Sequence, residues 1–103
     1  MDYTYSDGRL LIRRSPEEKK PLLQRLKRIE GQVRGLQAMI DEDRYCLDEI
    51  QQMNAISAAV REAALQIIAE HLTASAEYAV LGQDKDGAVA EMIRVLRAAM
   101  RQG

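Results

Sequence analysis

The longest regular pattern in the sequence is a repeat of seam positions that runs from Cys46 to Leu81 with alternating spacings of four and three residues. Such spacings are typical of a helix that packs along its length against other helices. The pattern therefore predicts one helix of about 35 residues. Its seam consists of Cys46, Ile50, Met53, Ser57, Val60, Ala64, Ile67, His71, Ala74, Tyr78 and Leu81.

Two shorter helices are predicted on either side of the long one. Residues 22–40 repeat apolar side chains with the same spacings and predict a helix that ends near Ile40. Its start matches a capping box at Ser15 with proline next to it, although Pro21 would kink the first turn or delay the regular helix. Beyond a cap at Gly82, residues 89–99 carry the apolar stripe of a third helix.

The composition favours an all-α fold in one domain, because the 103 residues include many good helix formers and only two Pro. With neither Phe nor Trp, three helices bury little apolar surface alone, so we expect copies of the chain to complete the core. Residues 1–14 show no sustained period and are predicted to be a flexible arm, followed by a single domain over 15–103. No apolar run would span a membrane and no signal peptide is evident, so we expect a cytoplasmic protein.

The formal charge of −1 conceals a basic first part and an acidic remainder. Residues 1–40 carry nine Lys or Arg against five Asp or Glu, whereas residues 41–103 carry six against eleven. Basic residues on a helix usually form a solvated face, but a cluster of them also contacts nucleic-acid phosphates. The cluster on the first helix consists of Lys19, Lys20, Arg25, Lys27, Arg28 and Arg34.

Cys46 and His71 are the only cysteine and the only histidine, and both lie on the seam of the long helix. Their separation of 25 residues is about seven turns, so the two side chains share a face but lie about 37 Å apart. They can meet only if a second copy of the helix runs antiparallel to the first. A twofold axis at the small residues Ala58 and Ala59, midway between them, would create two equivalent sites per dimer.

Each of these residues also has an ordinary structural interpretation, since a lone cysteine is often a small buried group and a seam histidine a core residue. As a pair, a thiolate and an imidazole suit Cu(I), Zn(II) or Ni(II), but two ligands are too few for a closed site. Ser75 lies one turn beyond His71 and would face the same site. Its neutral hydroxyl is a poor metal ligand.

Three segments carry distinctive motifs: RLKRIEGQVRGL at Arg25–Leu36, DRYC at Asp43–Cys46 and QQMNA at Gln51–Ala55. These motifs resemble the CsoR/RcnR family of metal- and aldehyde-responsive transcriptional repressors, and the similarity extends from about Ser15 to Met100. The resemblance implies an all-helical dimer with a four-helix bundle core, generally assembled into a tetramer. It also implies that the protein binds operator DNA and releases it when an inducer binds.

The resemblance assigns roles to individual residues. It makes Cys46 of one chain and His71 of its partner the first two ligands of the copper-responsive branch, which has a second cysteine where this chain has Ser75. Tyr45 and Glu91 match the positions of a tyrosine and a glutamate that, in that branch, contact the ligand histidine without binding the metal themselves. The residues expected to contact DNA are Arg25, which matches a basic residue used in the family, and its neighbours Lys27, Arg28 and Arg34.

We therefore expect a repressor that leaves operator DNA when a transition metal occupies the inter-subunit Cys46–His71 site, as a homodimer or homotetramer. No motif supplies a substrate pocket, so we expect no enzymatic activity. One alternative is a sensor of formaldehyde or oxidants, because the formaldehyde-responsive members keep the cysteine without a full set of metal ligands. Cys46 would then be modified covalently, with His71 as a base. The other alternative is a structural helical oligomer without sensing.

Overall fold

The computed structural model describes residues 1–101 and consists of a two-stranded hairpin followed by three helices. The strands are β1 (Asp2–Ser6) and β2 (Arg9–Arg13), and the helices are α1 (Pro16–Asp41), α2 (Cys46–Leu81) and α3 (Lys85–Arg101). The three predicted helices are confirmed, whereas the all-α assignment is wrong for the hairpin. The last two positions of the predicted domain 15–103 lie outside the described residues.

The hairpin replaces the flexible arm that was predicted for residues 1–14. Asp7 and Gly8 both have positive φ angles, 53° and 74°, as a two-residue turn between antiparallel strands requires. Tyr5 pairs with Leu10 in the register of the two strands, and the Leu10 side chain is buried against the helices. Each strand is only five residues long, so its alternation was too short to reveal a period, although Asp-Gly is a hairpin turn signal.

Helix α1 begins with the predicted capping box. The Ser15 hydroxyl accepts a hydrogen bond from the Glu18 N–H, and the Glu18 carboxylate accepts one from the Ser15 N–H at 2.9 Å. Regular helix starts at Pro16 and continues through Pro21, so the alternative of a later start is wrong. The helix ends at Asp41, one residue past the predicted end.

Helix α2 is 36 residues long and forms the axis of the molecule, which is 58 Å in its longest dimension. Most of its large apolar seam residues are exposed in the single chain, including Ile50, Met53, Val60 and Ile67. A continuous apolar line of this kind is typical of a surface that another chain covers. The dimer and tetramer of the sequence analysis stay predictions.

Helix α3 packs against the second half of α2, and the hairpin lies against the same end of the molecule. Gly82 caps α2 with φ −83°, and the turn is made by Gln83, which has φ 52°. Asp84 then accepts a hydrogen bond from the Gly87 N–H at the start of α3. None of the helices in residues 1–101 has the length and apolar character needed to cross a membrane.

Candidate functional site

His71 lies on α2 ten residues before the helix ends and faces α3, where its Nε2 lies 3.3 Å from Oε2 of Glu91. Both side chains are largely shielded from solvent, with 19% of the His71 side chain and 5% of the Glu91 side chain exposed. The contact joins two residues that are twenty positions apart in the sequence. The structure thus brings together the candidate ligand histidine and one of its two predicted supporting residues.

Glu91 is the centre of a larger hydrogen-bond network. Its Oε2 accepts a bond from the Leu10 main-chain N–H at 2.6 Å, and its Oε1 accepts one from Arg94 at 3.2 Å. A buried carboxylate needs such partners, since its burial without them costs several kcal/mol. No sequence pattern indicated Leu10 or Arg94 as partners of Glu91. The Asp7–Gly8 dipeptide, a turn signal, was the only sequence feature that indicated strands from which a main-chain N–H could reach Glu91.

This network determines which ring nitrogen of His71 is available to a ligand. A carboxylate is a hydrogen-bond acceptor only, so the nitrogen that faces Glu91 must carry the proton. In the neutral imidazole, Nε2 is therefore the donor and Nδ1 keeps its lone pair. Within residues 1–101, Nδ1 makes no hydrogen bond. A histidine held through one nitrogen by a carboxylate, with the other nitrogen open, has the arrangement found in metal ligands.

Ser75 follows His71 by one turn and is completely buried, with no exposed surface. Its Oγ has no hydrogen-bond partner within residues 1–101. An unpaired buried hydroxyl destabilises a fold by about 1–3 kcal/mol relative to a paired one. A hydroxyl oxygen of this kind is a weak ligand for soft metal ions.

Cys46 and Tyr45 lie at the opposite end of α2. Cys46 is the first residue of the helix and carries a free, exposed thiol. Tyr45 precedes it, is 65% exposed and makes no side-chain cap. Within one chain, the structure does not bring either residue near His71.

No group of three or more His, Cys, Asp or Glu side chains suited to a metal ion occurs within residues 1–101 of a single chain. The Cys46–His71 pairing across a twofold axis, with Ser75 beside it, remains a prediction.

The candidate DNA-contacting residues lie on α1. Arg25, Lys27 and Arg28 are exposed and make no ion pair with any residue in 1–101. Arg34 is exposed as well and lies 3.7 Å from Glu30, one turn before it. Arg25 and Arg28 also border a cavity of about 390 Å³ between α1 and α2. The unpaired guanidinium and ammonium groups are available to phosphates, and their role in DNA binding remains a prediction.

Comparisons with known proteins give a consistent result. Residues 18–98 match the family model described as a metal-sensitive transcriptional repressor. The chain is 37% identical to the copper-sensing transcriptional repressor CsoR of Bacillus subtilis over 93 residues, which are 90% of this chain and 92% of the relative. It is 43% identical to the copper-sensing repressor RicR of Mycobacterium tuberculosis over 77 residues, which are 73% of this chain and 80% of the relative.

Two solved structures share the fold. The nickel-responsive transcriptional regulator InrS matches with a TM-score of 0.76 and 29% identity, over 82% of this chain and 96% of that one. The copper-sensing repressor CsoR with Cu(I) from Geobacillus thermodenitrificans matches with a TM-score of 0.69 and 38% identity, over 89% and 92% of the two chains. The family model begins at residue 18, so the hairpin lies outside it.

Proposed function

Because the chain belongs to the family of metal-sensitive transcriptional repressors, we propose that it leaves operator DNA when a transition metal binds between Cys46 of one copy and His71 of another. The observation that supports this assignment most is the bond from His71 Nε2 to Glu91. It fixes the ring and leaves Nδ1 as the only free nitrogen donor of the sole histidine in the chain.

The donor atoms fit Cu(I) better than the other candidate ions. Structural Zn(II) sites have four strong ligands, and this site offers a thiolate, an imidazole and the Ser75 hydroxyl. Cu(I) prefers soft ligands such as thiolate and accepts fewer of them, so Cys46 and His71 are an adequate pair. The copper-sensing relatives are consistent with this choice, and the nickel-responsive one makes Ni(II) the second candidate.

The mechanism follows from the placement of the two candidate ligands 25 residues apart on α2. Cys46 of one copy reaches His71 of another only when two α2 helices run antiparallel with their exposed seams in contact. A bound ion would link Cys46 of one copy to His71 of the other. Ligand binding shifts the balance between helix arrangements by its differential affinity for them. The arrangement that leaves the DNA is the one in which Cys46 and His71 meet.

The basic cluster on α1 is the proposed DNA surface. Its exposed Lys and Arg side chains would neutralise phosphates and release counterions, and in a twofold assembly each cation is present twice. A small charge per chain is thereby sufficient. Arg25, Lys27 and Arg28 supply half of the six positive charges of this cluster, and Glu30 partly neutralises Arg34 at its end.

The test is a Cu(I) titration of the purified protein against a chromophoric chelator. We expect one Cu(I) per chain, with a loss of affinity of at least about 100-fold in Cys46→Ala and in His71→Ala, because either change leaves a single strong donor. Ser75→Ala serves as the control, since it alters the neighbouring residue and should change the affinity by less than about tenfold. Unchanged Cu(I) affinity in both ligand variants would refute the proposed site.

A second candidate function rests on the exposure of Cys46. An exposed thiol at the first position of a long helix is suited to covalent modification, so an aldehyde or oxidant could be the inducer. Intact-protein mass spectrometry after treatment with formaldehyde distinguishes the two functions. An adduct that requires Cys46 and releases DNA without added metal would favour the thiol sensor.

A further inference from the structure

We propose that the N-terminal hairpin is a positioning element of the inducer site. The Leu10 N–H and the Arg94 guanidinium hold the Glu91 carboxylate so that His71 keeps its proton on Nε2 and presents Nδ1. The significance of Nδ1 as a ligand atom rests on the function proposed above. The positioning itself concerns only the hairpin, Glu91 and His71.

Two donors share one oxygen of Glu91. The Leu10 N–H lies 2.6 Å from Oε2 and His71 Nε2 lies 3.3 Å from the same atom. The shorter bond comes from the main chain of a strand, which has little freedom to move independently. The hairpin therefore sets part of the position of Oε2, which is the atom that accepts the hydrogen bond from His71.

The strand register explains why Leu10 has an N–H to offer. Leu10 is opposite Tyr5, and in an antiparallel pair every second residue points its N–H away from the neighbouring strand. Leu10 is such a residue, because its N–H donates to Glu91. Its side chain is buried, with 3% of the residue exposed, so the residue fixes the strand to the helices through both its main chain and its side chain.

Arg94 joins the hairpin to the other oxygen of Glu91. Its Nη1 donates to the Gly8 carbonyl in the hairpin turn at 2.9 Å and to Glu91 Oε1 at 3.2 Å. The same guanidinium therefore contacts the turn and the carboxylate. Hairpin and Glu91 are connected at both carboxylate oxygens, once through the strand and once through Arg94.

The hairpin is also anchored away from Glu91, which makes it a rigid support. Tyr5 stacks on Tyr78 of α2 with a centroid distance of 4.6 Å, and Arg14 forms an ion pair with Glu70, the residue before His71. A segment that positions His71 in this way influences the affinity of the site for its inducer. By linkage, the bound inducer changes the stability of the docked hairpin by the same free energy.

The single histidine makes the proposal directly measurable. The imidazole nitrogens of His71 give one pair of ¹⁵N NMR resonances, and their shifts report the ratio of the Nε2–H to the Nδ1–H tautomer. The decisive variant replaces Leu10 by its α-hydroxy acid, which removes the N–H and keeps the side chain. A matched ester at Ile12 removes an N–H two residues further along the same strand that does not bond Glu91.

We expect wild-type protein and the Ile12 ester to show the Nε2–H tautomer. The Leu10 ester should lower the ratio of Nε2–H to Nδ1–H by about fivefold, which corresponds to the net free energy of one hydrogen bond. An unchanged ratio in the folded Leu10 ester overturns the proposal, as does an equal response of the Ile12 ester.

The outcome is independent of whether Cu(I) is the inducer, because the tautomer is measured without metal. A shifted ratio together with failed Cu(I) binding would leave the hairpin as a positioning element and refute the metal function. Cu(I) binding that requires Cys46 and His71, together with an unchanged ratio, would support the function and refute the role of the hairpin.

Discussion

Tyr5 of the hairpin stacks on Tyr78 of α2, with ring centroids 4.6 Å apart and ring planes inclined by only 13°. Tyr3 meets the same ring edge-on at 6.3 Å. Burial and the hydrogen bond to Asp84 raise the pKa of the Tyr78 phenol. The first strand is therefore attached to α2 through aromatic rings, independently of the Glu91 network.

Tyr5→Ala should loosen the attachment of the hairpin while the three helices remain folded. Removal of the stacked pair destabilises the hairpin by about 0.5–1.5 kcal/mol beyond the effect of the buried area. We expect faster amide hydrogen exchange in residues 2–13 and little change in α1. Tyr3→Ala, which removes the more distant edge contact, is the matched comparison and should have the smaller effect. Equal exchange rates in Tyr5→Ala and in wild type would contradict the anchoring role.

Ser15→Ala should destabilise the protein by about 1 kcal/mol, because the capping hydroxyl at the start of α1 is removed. Thermal or urea unfolding followed by circular dichroism measures this change. Pro16→Ala at the next position leaves the hydroxyl bond intact and provides the control. The same unfolding midpoint in Ser15→Ala and in wild type would mean that the cap does not stabilise the protein.

The same cap predicts a pH dependence. The hydrogen bond from the Ser15 N–H, followed by the one from the terminal amine, holds the pKa of Glu18 below its usual value. A carboxyl group with a lowered pKa in the folded state stabilises the fold above its unfolded pKa and loses that contribution as the pH falls through the folded pKa. Glu18→Gln should therefore reduce the stability difference between neutral and acidic pH. Identical pH profiles would exclude this contribution.

Glu91→Gln should weaken Cu(I) binding by about 10–100-fold, the usual effect of altering the residue that supports a ligand histidine. The amide keeps the size of the side chain but removes the negative charge that favours the Nε2–H donor. Glu77→Gln, an exposed change on α2, is the control for the removal of charge. Chelator competition measures the affinity, and equal weakening in both variants would indicate a general charge effect.

Lys27→Ala should reduce the salt dependence of DNA binding, because one phosphate per chain would no longer be neutralised. The slope of log K against log salt should become shallower by about one for each such phosphate. The assay is fluorescence anisotropy with a duplex selected by the protein from a random pool. Lys85→Ala removes an equally exposed lysine at the start of α3 and should leave the slope unchanged. Equal slopes for Lys27→Ala and wild type would remove Lys27 from the proposed surface.

The sequence predicted those parts of the fold that depend on long periodic patterns. The seam of α2 and the capping box at Ser15 were recognised because helical spacing and cap chemistry are local. The hairpin was missed because its strands have only five residues each, and the bond from Leu10 to Glu91 joins residues 81 positions apart. No local pattern encodes which main-chain N–H will meet a carboxylate after folding. Cys46 and His71 were identifiable for a different reason, since each is the only residue of its type.

Ser75→Cys should raise the Cu(I) affinity by at least about tenfold, because it places a soft thiolate donor one turn beyond His71. The serine is fully buried and its Oγ lacks a partner within residues 1–101, so a sulfur atom of similar shape replaces a polar atom that the fold does not satisfy. Chelator competition on Ser75→Cys and on Ser75→Ala separates the two effects, since both remove the unpaired hydroxyl and only one adds a ligand. A gain confined to Ser75→Cys would mean that the site keeps the shape for a third ligand and that the native serine limits the affinity. An equal affinity in the two variants would mean that position 75 does not face the bound ion.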